Sequence, residues 1–324
     1  MATEKVFRAR INKRRIRELF IDGEYISIQL LKNRDDIKLE QKIQKYLAKD
    51  ISDYPSPVEF HITEVAHVTN KTSLEDIWEL EGFMGLDRYS LSWWSLKINE
   101  ADIKAAEERY LEELFPDITK EEKTAHPPFL SKFTTSPVFI NETSRYGNFR
   151  FTFSLTELME AYKKQICNDK EPVLRIYETK LFKQEIEYVV LIHSPEFNDQ
   201  LSHFPLLTSN PWVAYDGNKI IWKAQAICET HNFQLVTGQN TAEVQTKYLY
   251  QFYVWDQVSL AFHTSEVLTF PKRKLKASLS CCEQDPNVNL SNGQNCSSLD
   301  EAKKCIESLQ DDDEKEDEKE DINP

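Results

Sequence analysis

Hydrophobic and polar positions alternate most regularly in the middle of the chain. Asn148-Phe-Arg-Phe-Thr-Phe153 places a ring at every second position, the period of a strand with one buried face. Val58 to Thr69 and Leu91 to Ile98 show the same alternation with β-branched and aromatic residues. Between them the period becomes helical. Leu74, Ile77 and Trp78 share a face, with Thr72 or Ser73 as the expected N-cap and Gly82 as the expected stop. Glu100 to Leu114 reads as a charged helix ended by Phe115-Pro116. Ser154-Leu-Thr-Glu157 has capping-box spacing and opens a helix to about Ile166. Strands dominate from Val173 onward: a hairpin of Val173 to Thr179 with Ile186 to His193, then Ile220 to Cys228, Tyr248 to Trp255 and Val258 to Phe262. So many strands with few helices predict an α+β domain with a largely antiparallel (split) sheet and flanking helices.

The two ends look different from the middle. Residues 1–54 are expected to be a helical N-terminal segment. It holds a basic run from Arg8 to Arg17, the apolar Leu19-Phe20-Ile21, a turn at Asp22-Gly23-Glu24 and a second helix over Asp35 to Ala48. Tyr54-Pro-Ser-Pro57 breaks it from a core domain spanning 55–276. Residues 277–324 are expected to be a disordered acidic tail, with Leu299 to Leu309 as a transient helix. Asp311 to Asp321 is almost wholly Asp, Glu and Lys and carries much of the net charge of −14, so the acidity says little about what the folded part binds.

Several function classes are disfavoured. No apolar run is long enough for a bilayer, so no membrane association is expected. The opening residues lack the apolar stretch of a secretory signal, which points to a cytoplasmic or nuclear protein with its 6 cysteines reduced. With 7 glycines and no Gly-rich phosphate loop, Gly-x-Ser-x-Gly or His-Glu-x-x-His, the common phosphate, hydrolase and zinc-protease signatures are missing. Cys281-Cys282 has no histidine at zinc-finger spacing, and no metal is expected. Pro271-Lys-Arg-Lys-Leu-Lys276 reads as a nuclear-import signal. The run from Arg8 to Arg17 could meet a nucleic-acid backbone or form a solvated helix face, and the acidic whole disfavours the first.

Three segments, taken in order, resemble the diphtheria-toxin and poly(ADP-ribose) polymerase type of ADP-ribosyltransferase. The first is Ala66-His67-Val68-Thr69 with a short helix closed by Gly82-Phe83. The second is Tyr146-Gly-Asn-Phe-Arg-Phe151, followed by a helix reaching Ala161-Tyr162. The third is Gly217-Asn-Lys-Ile-Ile-Trp222. Together they span roughly residues 58 to 230.

The resemblance implies an NAD site in which His67 anchors a ribose hydroxyl, Phe151 stacks on nicotinamide, and Thr69 or Ser154 adds hydrogen bonds. Phe151 stands where the polymerase branch has tyrosine, so stacking is kept and the hydroxyl is lost. Asn218 or Lys219 falls where the family has its glutamate. Neither supplies the carboxylate that stabilises positive charge as nicotinamide leaves, so transfer is expected to be weak or absent. Glu229 takes that role if the register is shifted.

Each residue also has a plainer reading. His67 fits a core position between Ala66 and Val68, and Phe149, Phe151 and Phe153 fit a half-buried strand. Trp93-Trp94 puts one ring on each face of its strand. The alternative function is a non-enzymatic module whose Trp93, Trp94 and Trp212 engage a protein partner, with the acidic tail tuning solubility or partner choice.

Overall fold

The computed structural model describes residues 5–12, 17–34, 57–85, 89–125, 130, 142–182, 185–208, 210–228, 233–237, 242–246, 252–284 and 295–309. Its centre is a 10-stranded sheet. Nine strands run across it in the order Arg8–Ile11, Arg17–Asp22, Val173–Phe182, Glu185–His193, Phe252–His263, Leu91–Lys97, Glu64–Thr69, Phe149–Ser154 and Leu279–Cys281. Ala226–Cys228 pairs with Phe252–His263 off this path. All pairings in this sheet are antiparallel except Glu185–His193 with Phe252–His263. A smaller sheet joins Val213–Tyr215, Ile220–Ala224 and Val58–Ile62. The α+β class and the largely antiparallel sheet follow the sequence pattern.

The main core lies on one face of the large sheet. Val65, Trp94, Phe149, Phe151, Phe153, Ile186, Tyr188, Val190, Leu260 and Phe262 meet there, as period-two alternation requires. Leu155–Ile166 packs Leu155, Leu158, Met159 and Tyr162 into the same core. Its N-cap is Ser154, whose side chain accepts from the Glu157 N–H. Glu100–Leu114 has a full capping box between Asn99 and Asp102 and ends at Phe115. The cap of Lys71–Glu79 is Asn70, not Thr72 or Ser73: its side chain accepts from the Ser73 N–H at 3.0 Å. The apolar stretch expected from Ile220 to Cys228 breaks at Gln225, whose N–H donates to Asp256 at 2.8 Å.

Both chain ends differ from expectation. Arg8–Ile11 and Arg17–Asp22 are strands, not helix. Leu19 and Ile21 are buried while Arg10 stands opposite Glu18, so pairing with Val173–Phe182 and cross-strand charge decide the conformation. A five-residue helix, Ile28–Lys32, is the helical element described before residue 35. The helix expected over Asp35 to Ala48 lies outside the described residues.

At the other end, Leu279–Cys281 extends the sheet beside Phe149–Ser154, and the helix Leu299–Glu307 buries Ala302. The domain therefore continues past 276. Pairing an otherwise open sheet edge and burying Cys282, Cys296 and Ala302 hold this segment in the fold. The acidic run from Asp311 to Asp321 lies outside the described residues. Among the described residues no helix is long and apolar enough to cross a membrane.

Candidate functional site

His67 and Phe151 face each other across neighbouring strands, and Thr69 pairs with Phe149 two residues further along. The His67 ring sits 5.2 Å from the Phe83 ring and 5.4 Å from that of Trp94. Its Nδ1 lies 2.8 Å from the Trp93 carbonyl oxygen, so the proton resides on Nδ1 and is donated there. Burial lowers the pKa of His67 to about 4, only partly opposed by the bond to Trp93. The imidazole is thus neutral at pH 7, with a lone pair on Nε2. That nitrogen makes no hydrogen bond to another described residue.

Phe83 forms the lid of this nest. It meets Trp94 at 4.8 Å, Phe151 at 5.3 Å, Phe153 at 5.9 Å and Phe270 at 6.0 Å between ring centroids. Gly82 lets this short strand press against the Leu268 carbonyl, where a Cβ would collide. Gly147, at φ +143°, brings the loop before Phe149 onto the Thr69 carbonyl with equal closeness. Gly82 and Gly147, two of the three glycines in the resembling segments, are therefore close-approach positions, whereas Gly217 has open space where a Cβ would stand.

The other predicted residues are placed less favourably. Phe151 is 0% exposed and offers no face for a nicotinamide ring, because Phe83 already meets it edge to face. The stacking role is corrected to core packing. Thr69 is buried. Ser154 holds the Glu157 N–H at 3.1 Å as a helix cap and pairs with Glu64, three residues from His67 along the strand, or about 10 Å.

Asn218 lies in the turn between Val213–Tyr215 and Ile220–Ala224, its N–H donating to Asp216 at 3.1 Å. Its carbonyl accepts from Thr156 at 3.5 Å, so it belongs with the Ser154 end. Glu229 lies outside the described residues. Asp256, on the strand that pairs with Ala226–Cys228, is buried, and burial raises its pKa well above the usual carboxylate range.

The face of the sheet opposite the main core carries a charged strip that the sequence analysis missed. Arg145 makes two bonds to Glu185, at 2.6 and 2.8 Å, and Gln257 also donates to Glu185. Lys180 pairs with Glu187 at 2.9 Å and lies 4.5 Å above the Trp93 ring. Arg10 grips Glu178 at 2.7 and 2.8 Å and Glu18 at 2.5 Å. The visible signal was Glu185-Ile-Glu187, charged at the alternate positions of an otherwise apolar strand.

These pairs also answer other expectations. Arg8 is bound to Asp22, and Arg8 and Arg10 both stack on Phe20, so these two arginines neutralise carboxylates of the fold itself. The rest of that run up to Arg17 is described only at Ile11, Asn12 and Arg17. Trp94 is buried, Trp93 is partly covered beneath Lys180, and Trp212 packs on the core, so no exposed tryptophan trio exists. The basic segment Pro271 to Lys276 is mostly a helix, Lys272–Ser278. There Lys274 pairs with Glu157 at 2.6 Å and Lys276 donates to the Leu309 carbonyl at 3.0 Å.

No family model matches this chain, and neither a curated protein nor a solved structure does.

Proposed function

We propose that this domain is a non-catalytic binder of NAD or an ADP-ribose-like ligand, gripped at His67, with weak or no transferase activity. The supporting observation is the state of His67: neutral, oriented by the Trp93 carbonyl, and carrying its lone pair on Nε2. Such a nitrogen accepts a hydrogen bond from a ribose hydroxyl and neither binds nor repels phosphate by charge. Weak or absent transfer is supported by Asn218 or Lys219 falling where the resembled family has its carboxylate, with Asn218 at the Ser154 end of the arrangement. With Phe151 enclosed, the nicotinamide side gains no stacking surface, so ADP-ribose should bind as well as NAD.

The test is thermal unfolding of the chain with millimolar NAD, ADP-ribose or nicotinamide, because a ligand of the folded state raises the midpoint by mass action. A saturable rise with NAD and ADP-ribose that disappears in His67→Ala supports the reading. A rise that survives the substitution places the ligand elsewhere.

A protein-interaction role is the second reading, supported by exposed apolar residues beside the same nest. Leu80, Met84 and Tyr89 are 44%, 38% and 52% exposed around the Gly82–Phe83 strand. Replacing Met84 by Asp would abolish binding of such a partner and leave any nucleotide response intact.

A further inference from the structure

The C-terminal segment brings two thiols into contact. The Sγ atoms of Cys296 and Cys305 lie 3.9 Å apart. Cys305 is in the second turn of the helix Leu299–Glu307, and Cys296 lies two residues before its N-cap, Ser298. The segment is anchored at both ends. The Cys296 N–H donates to the Asn148 side chain at 3.0 Å, and that side chain donates in turn to the Cys282 carbonyl at 3.2 Å. On the other side, Ala302 is buried and Ile306 packs on the core. The two sulfurs therefore meet in a folded, restrained geometry, and side-chain rotation by about 2 Å closes them to bonding distance.

We propose that Cys296 and Cys305 form a reversible intramolecular disulfide, a modification site that fastens the C-terminal helix to the chain preceding it. Asn148, which anchors Cys296, directly follows Gly147 against the Thr69 carbonyl, so the latch joins the loop bordering the His67 nest. The proposal does not depend on that nest binding a nucleotide.

The oxidant is a small disulfide such as oxidised glutathione. Cys305 is half-buried and Cys296 buried, so exchange starts at Cys305. Its thiolate attacks one glutathione sulfur, the glutathione disulfide breaks, and one glutathione thiolate leaves and takes up a proton. Cys296 then attacks the Cys305 sulfur of the mixed disulfide, expelling the second glutathione thiolate, which is protonated in turn. Two cysteine thiols are oxidised and one glutathione disulfide is reduced to two thiols. Burial and the neighbouring Cys305 thiol push the Cys296 thiol up to about 12, which makes this second step the slow one and favours its completion at alkaline pH.

The experiment is incubation of the full chain with oxidised glutathione at pH 8.5, blocking of the remaining thiols, and mass-spectrometric mapping of the linked peptides. The expected product joins Cys296 to Cys305, is reversed by dithiothreitol, and raises the thermal midpoint by roughly 5 °C over the reduced chain. Cys305→Ser should show no rise on the same treatment, while Cys167→Ser should keep the link. Glutathione retained on Cys305, a link from Cys305 to Cys281, or unmodified thiols throughout would each overturn the proposal. Because the peptide map is read on the natural sequence, it decides the matter even if a variant fails to fold.

Discussion

Acidification should withdraw stability from this fold through His67, and the size of the effect can be worked from its surroundings. In an unfolded chain the group titrates near 6.5, whereas in the fold burial against Phe83 and Trp94 lowers it to about 4. Above pH 6.5 both states are neutral there, and His67 adds no pH dependence. Between pH 6.5 and about 4 the unfolded chain takes up a proton that the folded chain refuses, so stability falls as pH falls. Below the folded value both states are protonated and the loss levels off. A displacement of this size corresponds to about 3 kcal/mol, to within a factor of two. Many other groups titrate in this range, so the assay must be differential. Urea unfolding of the natural chain and of His67→Gln, measured from pH 7.5 to 4.5, isolates the contribution as the change in their difference. The natural chain should lose about 2–4 kcal/mol more than the variant over this interval. Parallel curves would refute the reasoning, as would a nuclear magnetic resonance titration of His67 near 6.5, since either result means that the ring is hydrated in the fold.

Two further substitutions test how the nest and the charged strip are built. Gly147→Ala should cost at least about 2 kcal/mol in urea unfolding, because the positive φ and the collision with the Thr69 carbonyl both oppose a side chain; a loss below about 0.5 kcal/mol would show that the loop does not approach the strand so closely. Glu185→Gln leaves the Arg145 guanidinium buried without its carboxylate and should cost about 3–5 kcal/mol, whereas a change below about 1 kcal/mol would mean that Arg145 is hydrated.

The parts of this fold that could be read from the sequence are those whose cause is local. Alternating rings at Phe149, Phe151 and Phe153 left one strand solution, and Phe115-Pro116 marked the end of the charged helix Glu100–Leu114. The N-terminal strands were hidden because a basic run followed by Leu19-Phe20-Ile21 satisfies either period, and only pairing with Val173–Phe182 chooses between them. The C-terminal extension was hidden for another reason. Its buried residues, Cys282, Cys296 and Ala302, are small and scattered among polar ones, so burial there depends on a distant sheet edge.

The candidate site divides along the same line. His67 and the glycines at 82 and 147 could be picked out one at a time; Gly82 precedes Phe83, whose ring meets His67, and Gly147 presses on Thr69, two residues along the His67 strand. Phe151 looked available for stacking because a single strand cannot reveal what covers it; Phe83, from another element, does. The pairs Arg145 with Glu185 and Arg10 with Glu178 span 40 and 168 residues of sequence, which no local pattern can anticipate.

The most direct test of the central claim is the thermal midpoint of the full chain against increasing NAD and ADP-ribose, run beside His67→Ala. The account predicts saturable rises of similar size with both ligands, no rise with nicotinamide alone, and no response in the variant. A flat midpoint with NAD and ADP-ribose up to several millimolar, in a chain that unfolds cooperatively, would contradict it.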